Sequence, residues 1–326
     1  MRVIVLGGTG FIGGRIVEEL ITRGDDVLVV HRGRAEPAAR TEHLHAERAD
    51  FASVAADVRA FGPDAVIDAC ALSWVDVSAV LPHLPDVQLV ALSSADVYRA
   101  FELFSAGTSG EPTPLPEESA LREHRFPHRG QGLGLDDYDK LDVEPAYLER
   151  GGTVLRLSAV YGERDPQRRE EFVLRRVRAE RKQIPIGPAN WLWTRCYVGE
   201  VAAAVLAALG NPRAPGEIFN IGEPRTHDLG TWVRQILAAT GHEAELVEVP
   251  SELVPSDLAL TRAHAQHLLL DSSKARDVLG WRPAPVEFGI ERSVRWHLEN
   301  PPENADEEFD EDDRALSALS VGHALH

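Results

Sequence analysis

The sequence predicts a doubly wound α/β fold: a parallel sheet covered by helices on both faces, with a smaller C-terminal α/β cap domain. Three observations carry this. Short Val/Ile-rich runs alternate with helical patterns through the first half of the chain. A glycine-rich turn, Gly8-x-Gly10-x-x-Gly13, stands between the first of those runs and the first helical pattern. After residue 165 the character changes to longer, charged helical stretches. Such alternation implies βαβ units, whose parallel strands are buried on both faces and read as continuous apolar runs.

Taken in order, "RVIVLGG" is a buried strand and "GRIVEELITRGD" a helix with Ile16, Leu20 and Ile21 on one face. "DVLVVHR", "DAVIDACA" and "VQLVALSS" are further strands with helix-like segments between them, and "GTVLRLSAVYG" is another. Beyond it "RREEFVLRRVRAERKQ" reads as a long charged helix, "WVRQILAATG" as a second, and "SSKARDVLG" as a third that glycine stops. The expected division is 1–165 for the sheet domain, with segments near 195–205 and 217–222 returning to it. Residues 166–300 then form mainly the cap, and 301–326 a tail. Residues 99–135, rich in Pro, Gly and His with little periodicity, read as a lid or substrate loop, because so long a connection is rarely a plain linker.

Composition narrows the class. Hydrophobic residues make up 44% and charged residues 26% of the 326, as expected of a globular chain. The net charge is −18, and eight acids between Glu303 and Asp313 supply much of it. Without those eight, 44 of the 52 acidic residues remain against 34 basic ones. The tail "ENADEEFDEDD" is expected to be disordered and solvated, because its charges repel one another. The acidic body argues against nucleic-acid binding, which needs a basic surface. Cys70 and Cys196 match no disulfide or zinc spacing and read as free thiols in a reducing compartment. No apolar run reaches the roughly 18 residues of a membrane span, and the glycine turn interrupts the first one, so neither a span nor a signal peptide is expected. A cytoplasmic location is the expectation.

The glycine turn sits where a Rossmann fold binds a dinucleotide. Its glycines allow a tight turn, close approach of backbone to pyrophosphate, and close helix–strand packing, while the helix N-terminus offers donors to phosphate. The next strand ends "VLVVHRGR", with Arg32 where an NAD site usually carries an acid for the ribose 2′-hydroxyl. A guanidinium suits the 2′-phosphate, so NADP is expected ahead of NAD.

Together these segments resemble the extended short-chain dehydrogenase/reductases, specifically the NAD-dependent epimerase/dehydratase family. The resemblance runs from "GGTGFIG" to "LGWRPAP" and the helix after it, with "ADF", "LSSADVY", "RLSAVYG" and "FNIG" as intermediate landmarks. It implies cofactor contacts from Gly7, Gly8, Thr9, Gly10, Phe11, Ile12 and Gly13, then from Asp50 and Phe51 at an adenine-contacting turn. Ala69, Cys70, Ala71, Ala159 and Val160 complete that set. It also implies a serine that orients the substrate oxygen, a tyrosine that exchanges its proton, and a lysine that binds the nicotinamide ribose and lowers the tyrosine pKa. The serine role falls on Ser94, with Ser93 as fallback. Asp96 stands where dehydratase relatives carry a carboxylate for acid–base work, although it also reads as a plain turn residue. Lys140 followed by Glu144 matches the ribose-binding helix. Trp193 and Arg195, beside Trp191 in "NWLWTRCYV", fall in the family's substrate-contact region, and Arg195 suits an anionic group. Trp281 reads as core.

The chain departs from the family at its tyrosine. Four residues before Lys140 stands Asp136. A carboxyl of pKa near 3.9, lowered further by a neighbouring lysine, would be ionised at pH 7 and unable to donate. Asp136 therefore reads rather as an ion-pair partner of Lys140 or a helix N-cap than as the acid. Tyr138 is the other candidate, but on a regular helix two residues turn about 200°, which faces it away from Lys140 unless the helix begins later. His124 and His128 on the preceding loop are further candidate acids.

His264 and His267, and His323 and His326, are spaced i, i+3 without carboxylates at ligand spacing, so no metal is expected. The expected function is an NADP-dependent oxidoreductase or epimerase acting on a carbonyl or secondary alcohol of a sugar, nucleotide-sugar or natural-product intermediate. The alternative is a non-catalytic nucleotide-binding sensor or scaffold on the same fold. The expected partner is a small-molecule substrate, with homodimerisation left open.

Overall fold

The computed structural model describes residues 1–37, 41–303 and 308–323. Its centre is a seven-stranded, all-parallel sheet. In chain order the main elements of the first half are β1 (Arg2–Leu6), α1 (Phe11–Arg23), β2 (Asp26–His31), β3 (Glu42–His45), α2 (Ala55–Ala60), β4 (Ala65–Asp68), α3 (Trp74–Val80), β5 (Gln88–Ser94) and α4 (Arg99–Ser105). They are followed by α5 (Lys140–Glu149), β6 (Thr153–Leu157), β7 (Ala159–Tyr161), α6 (Glu171–Arg178), β8 (Gln183–Ile186), β9 (Arg195–Tyr197), α7 (Val198–Ala208) and β10 (Ile218–Ile221). The chain closes with α8 (Leu229–Thr240), β11 (Glu245–Glu248), α9 (Val286–Glu299) and α10 (Asp310–His323).

The strand order is β10-β6-β5-β4-β1-β2-β3. The order reverses between β1 and β4, and the crevice beyond their carboxyl ends is where such sheets bind ligands. Successive residues of a strand face opposite sides. Thus Val3, Val5, Val27, Val29, Ile67 and Leu92 pack with Ile16, Val17 and Leu20 of α1 on one face. Ile4, Leu6, Leu28, Val30, Val66 and Ala91 pack with Val77 and Val80 of α3 and Val143 of α5 on the other. β10 re-enters the large sheet beside β6, and α7 packs on α1. Two small parallel pairs, β8 with β11 and β7 with β9, lie outside the large sheet.

Two helical expectations shrink. The charged helix is only Glu171–Arg178, and Glu180 just beyond it takes φ 53°, a left-handed value that ends the helix. "SSKARDVLG" yields a π-helical stretch at Ala275–Leu279, closed by Gly280 at φ 72°.

The acidic tail is a correction. Residues 310–323 form α10, and α10 docks on the body. Asp312 is buried and pairs bidentately with buried Arg176, Nε to Oδ2 at 2.8 Å and Nη2 to Oδ1 at 2.6 Å. Arg176 also holds Asp257. Arg181 pairs with Asp313, Glu311 accepts the Ser256 amide at 2.6 Å, and Ala315 is buried. The repulsion within the acidic run is offset by arginines of the body, which the tail sequence alone does not reveal. Residues 304–307, with Asp306 and Glu307, lie outside the described residues.

Candidate active site

The glycine turn joins β1 to α1. Gly7 takes φ 82°, and a Cβ there would meet Cys70 Sγ at 2.7 Å. A Cβ on Gly13 would meet Gly7 O at 2.2 Å, so helix and turn can approach only without a side chain. Gly8 packs its bare Cα against Val17 and Val29. Gly10 is the N-cap of α1, and a Cβ there would meet nothing nearer than Gly7 O at 3.7 Å. The space in front of the first-turn amides of Phe11, Ile12 and Gly13 is thereby kept clear, which is what a diphosphate requires. A cleft of about 440 Å³ opens there, lined by Gly7, Thr9, Gly10, Arg32, Phe51 and Cys70 among others. This cradle fits a dinucleotide.

Other expected cofactor residues fall in different places. Ala69 and Ala71 follow β4, and Ala71 is buried. Asp50 is exposed on a short 3₁₀ segment between cleft-lining Ala49 and Phe51. Ala159 and Val160 are buried in β7, and Val160 O accepts Arg169 Nε at 2.8 Å. The sequence reading missed Arg48, which forms part of the cleft wall. Its guanidinium grips Asp68 at 2.9 and 2.7 Å, touches Cys70 Sγ at 3.2 Å, and donates to Asp76 O. Tyr147 donates to the same Asp68. Burial pushes the Asp68 carboxyl up, but Arg48 and Tyr147 outweigh it and hold the pKa below the ordinary value. Burial pushes the Cys70 thiol up to about 11, so it stays protonated.

Helix α5 begins at Lys140. Its N-cap is Asp139, whose carboxylate accepts the Leu141 amide while its backbone is extended at φ −158°, ψ 106°. Asp139 is itself clamped by Arg122 and Arg125, each at 2.5 Å. The residue before an N-cap is not on the helix, so the rotation that would turn Tyr138 away from Lys140 does not apply. Both side chains enter the same buried region. Tyr138 OH donates to Asp96 Oδ2 at 2.7 Å, and Lys140 Nζ stands 5.9 Å from the Tyr138 ring centroid. Lys140 donates to Ala71 O at 2.6 Å and Leu92 O at 2.8 Å. An ammonium has three donors, so among the described residues one remains. Ser94, at the end of β5, accepts the Asp96 amide at 3.2 Å.

Burial dominates the electrostatics. It pushes the Tyr138 phenol well above its ordinary value, reinforced by the Asp96 carboxylate and opposed by Ser94. It raises Asp96 against the pull of Tyr138, Arg122 and Lys140, and it lowers Lys140 against Asp68 and Asp96. Asp96 Oδ1 is buried without a hydrogen-bond partner among the described residues.

Asp136 does not join this group. It is exposed, its Oδ1 accepts the Gly130 amide at 2.7 Å, and it neither pairs with Lys140 nor caps α5. Both structural roles expected of it belong elsewhere: the cap is Asp139, and Lys140 is held by carbonyls. The fallback Ser93 donates to Glu144, which pairs bidentately with buried Arg156. Of the loop histidines, His124 is exposed, while His128 Nε2 reaches 4.0 Å from Asp96 Oδ2 and its ring lies 5.0 Å from that of Tyr138. The loop is anchored by Arg122, which donates to Asp96 O.

Arg195 and Trp193 pack on different aromatic rings. Arg195 is buried over the Trp232 ring at 4.0 Å, and its Nε and Nη2 have no partner among the described residues. Burial brings its pKa down to about 10. Half-buried Trp193 stacks on Trp191 at 5.3 Å. His264 and His267 bond to the backbone of Leu260 and Leu192. His326 lies outside the described residues.

The family model described as "NAD dependent epimerase/dehydratase family" matches residues 3–131 and 140–222. The chain is 27% identical over 342 residues to the "Chloroplast stem-loop binding protein of 41 kDa b, chloroplastic" of Arabidopsis thaliana, covering 98% of this chain and 85% of that protein. It is 27% identical to the "dTDP-6-deoxy-L-talose 4-dehydrogenase (NAD(P)(+))" of Kitasatospora kifunensis, covering 86% and 91%. Its fold is similar to that of a Thermus thermophilus UDP-glucose 4-epimerase solved in complex with NAD, at a TM-score of 0.65 and 22% identity, over 92% of this chain and 100% of that one. The glycine cradle, the lysine-headed helix and a match over most of the chain have one common explanation: this chain is a member of the NAD-dependent epimerase/dehydratase family.

Proposed function

We propose that the chain catalyses NADP-linked oxidation or reduction at a secondary alcohol or ketone of a nucleotide-activated sugar, with Tyr138 and Asp96 carrying the proton. The observation that carries this reading is the 2.7 Å hydrogen bond between Tyr138 and half-buried Asp96, beside buried Lys140 and half-buried Ser94. A nicotinamide cofactor held by the glycine cradle and Lys140 would supply the hydride acceptor for the carbinol carbon and, in its reduced form, the hydride donor for the ketone. Ser94 and Tyr138 hold the substrate oxygen. As that oxygen becomes a carbonyl, its proton passes to the Tyr138 oxygen while the Tyr138 proton passes to Asp96. The phenol is never fully ionised in this relay, so its high pKa is no obstacle. Asp96, raised by burial, is a better proton store near neutrality than an ordinary aspartate. The free donor of Lys140 is available to the nicotinamide ribose.

Arg32, exposed at the end of β2 on the cleft, supports the 2′-phosphate preference. Nucleotide sugars are the class named for two of the similar proteins, and under-paired Arg195 suits the diphosphate of such a substrate. Stem-loop binding, named for another, is disfavoured by the net charge of −18. Exposed Trp74 and Val75 on α3, which packs beside α5, support a homodimer. Among the described residues no helix is long and apolar enough to cross a membrane. The test is cofactor absorbance on mixing the NADP- or NADPH-loaded protein with nucleoside-diphosphate hexoses and their keto forms. Turnover supports the reading, whereas tight cofactor binding without turnover on any member favours a sensor or scaffold.

A further inference from the structure

The outer edge of the large sheet gathers three imidazoles and a carboxylate. β3 alternates, so His43 and His45 share one face. The parallel register sets His45 opposite His31, the last residue of β2, which brings a third ring to that face. Glu36, on the connection between the two strands, completes the set. The three ring centroids are 4.7–5.1 Å apart. His31 Nε2 and His43 Nδ1 are 2.8 Å apart, His43 Nδ1 and Glu36 Oε2 3.4 Å, and His45 Nε2 and Glu36 Oε1 3.8 Å. One ligand atom from each residue lies within 4.8 Å of all the others.

Those separations have a chemical meaning. Zinc binds imidazole nitrogen and carboxylate oxygen at about 2.0–2.2 Å in a tetrahedron, whose ligand atoms then stand about 3.3 Å apart. The observed separations bracket that edge length, so small side-chain adjustments close the site. Hydrogen bonding alone accounts less well for the arrangement. Three imidazoles around one carboxylate satisfy few of their own donors, and two of the rings are exposed with freedom to turn towards water.

We propose that His31, Glu36, His43 and His45 bind one divalent transition-metal cation of the zinc type, fastening edge strand β3 and the connection before it to β2. Nitrogen and oxygen ligands without thiolate favour zinc and its first-row neighbours over calcium or copper(I). The cation takes the place of the proton that His31 Nε2 and His43 Nδ1 now share. His31 then carries its hydrogen on Nδ1, so the Gly33 amide that donates there at 3.2 Å turns away. Gly33, at φ 73°, supplies the freedom for that turn. Because β3 ends the sheet, the bound cation stabilises a strand paired on one side only.

The experiment uses the full chain without an affinity tag. Zinc binding is measured by competition with a chromophoric chelator, the geometry is read from the visible spectrum with Co²⁺, and the melting temperature is followed with zinc and with EDTA. The expected result is one zinc per chain at micromolar free metal or below, a tetrahedral Co²⁺ spectrum, and a melting temperature several degrees higher with metal. His43→Ala and His45→Ala should each weaken binding roughly 10- to 100-fold, and Glu36→Gln about 10-fold. Both histidines are exposed, so the variants should melt like the wild type in EDTA, which separates loss of binding from misfolding. Wild-type protein without stoichiometric binding, or variants that bind zinc as the wild type does, would overturn the proposal.

Discussion

Tyr138 donates to Asp96 across 2.7 Å from a position two residues before Lys140, just ahead of Asp139, the N-cap of helix α5. The helix start decides this. Had α5 begun a turn earlier, the tyrosine and the lysine would diverge, and the carboxylate at position 136 would lie on the lysine's face.

The first consequence separates two aspartates. Asp96→Asn should lower turnover about 100-fold, because the amide cannot take the proton that Tyr138 passes on. Asp136→Asn should leave turnover within a few-fold of wild type, since the exposed Asp136 carboxylate only accepts a loop amide. Steady-state rates of both variants at saturating substrate check this. The reverse ranking would return the acid role to Asp136.

Deleting everything after Pro302 should destabilise the protein by about 1–3 kcal/mol. The reason is that buried Arg176 loses Asp312 and keeps one carboxylate, Asp257, among the described residues. Thermal unfolding reads this as a melting temperature several degrees lower. An unchanged melting temperature would show that α10 contributes nothing to the body.

Glu170 gives the fold a pH signature. It is buried, accepts Ser293 Oγ at 2.6 Å, and has an Oε2 without a hydrogen bond among the described residues, 3.8 Å from His297 Nε2; burial pushes its carboxyl up to about 7. A folded pKa above the unfolded value of about 4.3 means stability that is fully present below pH ~4 and is lost as pH rises through 7. Glu170→Gln should therefore gain on wild type by up to about 3 kcal/mol at pH 8.5 and by little at pH 4.5. Denaturation midpoints at both pH values test it. An equal difference at the two would refute the assignment.

Arg32→Ala should weaken NADPH binding about 10-fold or more and leave NADH binding nearly unchanged, by removing a charge-assisted bond to the 2′-phosphate. Titration of both cofactors against both proteins decides it. Equal wild-type affinities for the two cofactors would remove the reason for assigning NADP.

Much of this was legible in the sequence, where local pattern and tertiary role coincide. The glycine turn and the strand–helix alternation are local signals, and the cleft follows from them. The start of α5 was also legible, since Asp139 followed at the third helical position by Asp142 is an N-terminal signature. Reading Lys140 as part of a longer helix hid it. The docking of α10 was not legible, because the arginines that match its acids lie on α6 and just beyond it, over a hundred residues away. The histidine site fell between these cases. The spacing of His43 and His45 is visible, but the register that adds His31 exists only once β2 and β3 pair.

One hydroxyl separates the proton relay from a fold that only binds nucleotide. Tyr138→Phe removes that hydroxyl and keeps the ring. Turnover and cofactor affinity should be measured on the same preparation, beside wild type, with whichever nucleotide sugar the absorbance panel identifies. The expected result is a loss in turnover of about 100-fold or more with the cofactor dissociation constant within a few-fold of wild type. A variant that turns over at the wild-type rate would contradict the relay and send the search for the acid back to the loop that carries His128.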